Sequence, residues 1–214
     1  MQTVFAYPPD TLEFIPQDYF VPLDLAELFP AQPEAPLEID LGCGDGSFLV
    51  EAARRNPAHR FLGVERLKGR LRKSARKAAR LGLENLRLMR IDSPYFVRYL
   101  LPPGSVSVLH FMFPDPWPKR KHAGNRLFQP AFLDAVATAL RPGGEMRIST
   151  DNLPYFEQMR EVFSSHAIIQ EEPGWNPGPD YPQTDFERLF RGRGLPIYRA
   201  LLRRPALPFS LGAV

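Results

Sequence analysis

The sequence predicts an α/β fold: a mostly parallel, seven-stranded sheet with helices on both faces. Three observations carry that expectation. From residue 37 onward, short apolar runs alternate with stretches of helical period. A glycine-rich turn, Asp40-Leu41-Gly42-Cys43-Gly44-Asp45-Gly46, joins the first apolar run to the first helical stretch. A hydrophobic content of 44% in 214 residues is enough for one well-buried core.

The elements follow in order. Residues 1 to 36, rich in Pro and aromatics and without sustained period, read as an irregular arm ending at Gln32-Pro33-Glu34-Ala35-Pro36. The main domain is then 37 to 214. Leu37 to Leu41 reads as the first strand and Ser47 to Arg55 as the helix after the glycine turn. Phe61 to Glu65 is a second strand. Leu67 to Leu81 is a helix with Leu67, Leu71, Ala75, Ala78 and Ala79 on one stripe and basic residues opposite. Leu86 to Ile91 and Val106 to Phe113 are the third and fourth strands. Pro130 opens a helix over Ala131 to Leu140, and Arg141-Pro142-Gly143-Gly144 stops it. Glu145 to Thr150 is the fifth strand, Tyr155 to Phe163 a helix, and Ala167 to Gln170 and Ile197 to Leu202 supply edge strands. Thr184 and Glu187 have the spacing of a capping box on a short helix.

Composition narrows the class. No run approaches the roughly eighteen apolar residues of a membrane span, and the first residues lack the pattern of a secretory signal. A single cysteine, Cys43, leaves no internal disulfide framework and fits a reducing cytoplasm. His59, His110, His122 and His166 show no metal-ligand spacing with it, so no metal is expected. Net charge is only +3, but basic residues crowd Arg54 to Arg80 and Lys119 to Arg126, as a polyanionic partner would favour. Monomer and homodimer both remain open.

The glycine turn departs from a dinucleotide fingerprint: the third glycine arrives one residue early, at Gly46, and Ser47 holds the expected place. Asp40, two residues before Gly42, suits a cationic ligand better than a phosphate. Gly42, Gly44 and Gly46 let a ligand lie close to the backbone. Glu65, ending the second strand, is placed to accept both hydroxyls of a ribose. Asp92, after the third strand, is placed to face an adenine amino group. Three acids at the carboxyl ends of three successive strands lie where ligands bind such sheets. The pattern resembles the Rossmann-like class I methyltransferases, whose glycine loop carries S-adenosylmethionine.

Phe113-Pro114-Asp115-Pro116-Trp117-Pro118-Lys119 follows the fourth strand. Three alternating prolines stiffen it and so fix Asp115 and Trp117. A fixed carboxylate beside an aromatic and a cation suits a planar base: Asp115 can accept from a guanine edge and Lys119 can reach its phosphate or carbonyl. From this loop on, the sequence resembles the tRNA (guanine-N7)-methyltransferase family of the bacterial TrmB type. The resemblance rests on that heptad, then Thr150-Asp151-Asn152, Thr184-Asp185-Phe186-Glu187 and Pro196-Ile197-Tyr198-Arg199, and covers roughly residues 37 to 200. It implies that Asp40, Glu65, Asp92 and Asp115 line the S-adenosylmethionine site and that Asp115 is catalytic. It also implies that Lys119, Asp151, Thr184, Asp185, Phe186 and Glu187 face the substrate, and that the target is the variable-loop guanine at tRNA position 46. Arg120, Lys121, His122 and Arg126 are candidate RNA contacts. Three departures stand out: Asp40 replaces the family's usual Glu, Arg120-Lys121-His122-Ala123-Gly124-Asn125-Arg126 carries less charge than the family's basic run, and the N-terminal arm shows no match to the family.

Guanine N7 already holds an in-plane lone pair, so its methylation requires alignment rather than a strong base. An acid-rich site poor in Cys and His agrees with such chemistry. Two alternatives remain. One is a methyltransferase of an exocyclic amino group in RNA or DNA, whose loop reads Asp/Asn-Pro-Pro-Tyr/Phe where this chain has Trp117. The other is a non-catalytic tRNA-binding protein.

Overall fold

A computed structural model describes residues 12–117, 124–178 and 180–206. Seven strands form one sheet: β1 (Leu37–Leu41), β2 (Arg60–Val64), β3 (Leu86–Met89), β4 (Val106–Met112), β5 (Leu140–Thr150), β6 (Gln170–Glu172) and β7 (Tyr198–Arg203). Their order is β3-β2-β1-β4-β5-β7-β6, parallel except that β7 runs antiparallel to both β5 and β6. The order reverses between β1 and β4, which opens a crevice at the carboxyl ends of those strands.

Helices α2 (Ser47–Arg55) and α3 (Lys68–Arg80) cover one face, burying Phe48, Leu49 and Val50 and then Leu71, Ala75, Ala78 and Ala79. On the other face lie α1 (Leu25–Leu28), α5 (Pro130–Ala139) and α6 (Leu153–Ser164), over a larger core that includes Phe111, Phe128, Phe132, Tyr155 and Phe163. The arm packs at intervals, with residues 17–22 exposed. Leu12, Leu23, Leu28 and Phe29 are buried, and the Phe14 amide donates to Leu88 O at 2.8 Å. α1 is one of its short structured pieces, capped by Asp24.

Several boundaries move, each for a local reason. β2 ends at Val64, and Glu65 turns away to accept backbone amides. Leu67 precedes α3 and is exposed, while Ser74 takes its place in the buried stripe. β3 ends at Met89. Asp92 then precedes α4 (Ser93–Tyr95), which runs into a wide π turn over Phe96–Leu100 that periodicity had not revealed. Arg141 to Gly144 do not form a loop: α5 ends at Ala139 and β5 begins at once, with its irregular register lying opposite Val106 and Val108. Gly144 is required there, because a Cβ would sit 2.8 Å from Val106 O. Asn152 opens α6 two residues early by accepting from the Tyr155 amide. The edge strand expected at Ala167 starts instead at Gln170. The short capped helix is α7 (Asp185–Gly192).

Candidate active site

β1 reads Leu-Glu-Ile-Asp-Leu and is buried throughout, although it carries two carboxylates. Alternation puts Leu37, Ile39 and Leu41 in the larger core and Glu38 and Asp40 on the opposite face. The two acids meet opposite fates. Glu38 lies between two imidazoles, 2.6 Å from His59 Nδ1 and 2.8 Å from His110 Nε2. Burial alone would raise its pKa, but these partners outweigh burial and hold the carboxyl well below its usual range. Asp40 receives no donor from the described residues. Burial, then the charge of Glu65, pushes its pKa up to about 7.

The glycine turn wraps this orphaned carboxyl. Gly42, Gly44 and Gly46 all have positive φ, at 84°, 57° and 78°. Open space faces the first two, whereas a Cβ on Gly46 would lie 2.1 Å from Ser74 Oγ. Gly46 thus lets α2 pack against α3, and Gly42 and Gly44 leave a cradle above the backbone. Lys77 Nζ reaches Asp45 at 2.7 Å and closes the outer side of the turn. Glu65 Oε2 accepts from the Gly44 amide at 3.2 Å and Oε1 from the Leu67 amide at 2.7 Å. Each oxygen retains acceptor capacity for a hydroxyl. Asp92 stands exposed where the chain leaves β3. A buried acid without a donor, an open glycine cradle and a backbone-fixed acceptor fit a cationic adenosine such as S-adenosylmethionine. Cys43 is buried, its thiol pKa raised well above normal by burial and then by Asp40 and Glu65, and so plays no nucleophilic part.

The loop after β4 is strained. Phe113 and Trp117 have φ of 52° and 44°, which bulky residues rarely adopt, and each precedes a proline. Backbone strain of this kind persists only where surroundings over-determine it. Here the Phe113 amide donates to Ser149 O at 2.7 Å, and the Phe113 ring packs on Phe190 and Phe186 of α7 at 5.6 and 6.5 Å. At the far end Arg126 Nε donates to Pro116 O at 2.8 Å, Nη1 to Gln158 at 2.6 Å, and the guanidinium lies over Tyr155. Arg126 is therefore committed to holding the loop. Asp115 and Trp117 are exposed at its crest. Lys119, Arg120, Lys121 and His122 lie outside the described residues.

Asp151 is half-buried just beyond β5. Thr184 Oγ1 accepts from the Glu187 amide at 2.9 Å, so half of the capping box is made. The reciprocal half is not: Glu187 is buried and binds Arg199 and, at 2.9 Å, Arg191, because two guanidiniums compete better for a carboxylate than one amide does. Asp185 and Phe186 remain exposed at the start of α7, and the Asp185 amide donates to Ser47 Oγ at 3.2 Å. The sequence reading missed Glu38, His110 and Tyr181. The only signal was a second acid at i−2 from Asp40, in a strand whose parallel neighbours should be apolar on both faces.

Comparison with known proteins identifies the family. Residues 34–200 match the Methyltransf_4 family, described as "Putative methyltransferase". The tRNA (guanine-N(7)-)-methyltransferase of Halorhodospira halophila is 37% identical over 185 residues, spanning 85% of this chain and 79% of that protein. The enzyme of the same name from Nitrosococcus oceani is 34% identical over 183 residues, covering 86% of this chain and 77% of its own. Among solved structures, the 16S rRNA methyltransferase KamB superposes with a TM-score of 0.60 over 86% of this chain and 94% of its own, at 18% identity. The aminoglycoside resistance methyltransferase NpmB1 does so with 0.59 over 83% and 92%, at 20% identity. Those two likenesses are of fold alone.

Proposed function

This chain belongs to the tRNA (guanine-N(7)-)-methyltransferase family, and from that premise we propose that its target is the variable-loop guanine at position 46 of tRNA. The reaction is S-adenosylmethionine-dependent methylation of guanine N7. The observation that carries the reading is the pair of buried acids at one sheet edge, Asp40 without a donor among the described residues and Glu65 fixed by the backbone, beside the strained Asp115 loop. No helix among the described residues is long and apolar enough to cross a membrane, and a cytoplasmic tRNA partner completes the reading.

When bound, S-adenosylmethionine supplies an electrophilic methyl carbon whose bonding pair leaves with sulfur. The protein's own groups hold and orient. Asp40 gives up its proton as a cation arrives, Glu65 accepts ribose hydroxyls, Asp92 faces the base of the adenosine, and Gly42, Gly44 and Gly46 keep the floor open. Asp115 holds the guanine edge so that N7 lies in line, and favours the positive charge that develops on the methylated ring. Asp151 lies on the substrate side, as do Asp185 and Phe186, which Thr184 and Glu187 keep in place; the resemblance gives Lys119, outside the described residues, a substrate-binding role. Incubation with labelled S-adenosylmethionine and unmodified tRNA, followed by mapping of the labelled nucleotide, tests this. Label at N7 of guanine 46 is expected; label on an exocyclic amino group, or none, would refute it.

A further inference from the structure

We propose that Tyr181 is a positioning residue: its phenol latches the substrate-side segment 180–187 to the sheet beneath the cofactor loop, through a hydrogen-bond chain to His110 on β4 and Glu38 on β1, while its ring rests on Phe48 of α2. The inference rests on reading Thr184 to Glu187 as the substrate side.

Three contacts tie this segment to α2. Near the end of that helix, Arg55 donates to Asp180 O. At its start, Ser47 Oγ accepts from the Asp185 amide. Between them Tyr181 reaches inward, its ring 5.6 Å from Phe48 and perpendicular to Trp175 at 6.1 Å. Its hydroxyl lies 3.2 Å from His110 Nδ1 on β4, in the strand register that pairs His110 with Asp40. The segment carrying Asp185 and Phe186 therefore rides on the helix that the cofactor turn begins.

The chemistry of the chain fixes who donates. Glu38 is ionised and accepts only, so His110 Nε2 carries the proton. Full burial lowers the pKa of His110 despite Glu38, leaving a neutral ring whose Nδ1 is an acceptor. Tyr181 O–H then donates to Nδ1, and the Arg147 guanidinium, paired with Glu145, lies 5.7 Å over its ring. Glu38 on β1 and Glu145 and Arg147 on β5 are the charged groups acting on this imidazole, and Asp40 on β1 acts on the phenol. The carboxylate selects the tautomer, and the tautomer selects the direction of the latch.

Tyr181→Phe keeps the ring and removes one hydrogen bond, so the KM for tRNA should rise about three- to tenfold, with kcat falling less. Amide exchange over 180–188 should quicken while global unfolding changes little. Glu38→Gln should act in the same direction, and the two substitutions combined should fall short of additive. Nitrogen NMR should show neutral His110 protonated at Nε2. A tRNA KM within twofold of wild type alongside a lowered Tm, full additivity, or an Nδ1–H tautomer would each overturn the latch. Should the wild-type protein fail to label guanine 46, the parent reading falls, while exchange and tautomer still decide the latch.

Discussion

The cofactor side and the substrate side of this crevice hold their groups by different means. Around Asp40 to Glu65 the fixing contacts lie within one strand–turn–helix unit and the next strand. Gly42 and Cys43 donate to Val64 O, Gly44 and Leu67 to Glu65, and positive-φ positions are all filled by glycine. Around Phe113 to Trp117 the positive-φ residues are a Phe and a Trp, and the restraints come from far along the chain, from Ser149, Arg126 and α7. The first region is shaped by residues suited to their conformation. The second is held in an unfavourable one by its neighbours, and strain is stored where the proposed function puts the base.

The largest effect that can break this contrast concerns Asp40. Its pKa in the folded protein, about 7, exceeds its unfolded value, so it stabilises the fold fully below about pH 4 and loses that contribution as pH rises through 7. Urea unfolding of the cofactor-free protein should show a loss of about 4 kcal/mol over that window that Asp40→Asn lacks. S-adenosylmethionine affinity should rise over the same window, since a cation requires the ionised form. A flat profile for both would show that the cofactor side holds no orphaned acid. Next in size, Asp115→Ala should cost about 100-fold in kcat, roughly 3 kcal/mol, with tRNA binding nearly unchanged. Unaltered turnover in a methyl-transfer assay would remove this carboxylate from the reaction.

Smaller effects sharpen the comparison. Gly46→Ala brings a Cβ to 2.1 Å from Ser74 Oγ at a φ of 78°, and should lower stability by about 2 kcal/mol with loss of cofactor affinity. Gly44→Ala meets open space and should cost only about 1 kcal/mol of strain, its main effect being on cofactor binding by calorimetry. Arg126→Ala frees Pro116 O and should cost about 1 kcal/mol, lowering turnover without changing S-adenosylmethionine affinity. If it instead weakened cofactor binding first, the strained loop would not owe its shape to Arg126 alone.

Much of this arrangement is legible in the sequence. β1 and α2 follow the expected boundaries because an apolar run and a glycine turn are local signals. That Asp40, Glu65 and Asp92 would come together was legible because strand ends of a parallel sheet fall on one edge. The bulged start of β5 was hidden, since Pro-Gly-Gly reads as a stop whenever the partner strand is unknown. The π turn after Asp92 left no periodic trace. Glu187 looked like a helix cap because Arg199, twelve residues on, competes for it only once β7 is paired.

By itself, the sequence determined the sheet, the glycine cradle and the roster of acids at its rim, because period, turn chemistry and residue type act over a few neighbouring positions. Only the tertiary structure decided which acid is satisfied and which is not. Glu38 and Asp40 stand two residues apart on one strand face, yet His59 and His110 reach the first alone. Whether a buried carboxylate is ionised depends on donors brought from distant parts of the chain, and no local pattern records their arrival.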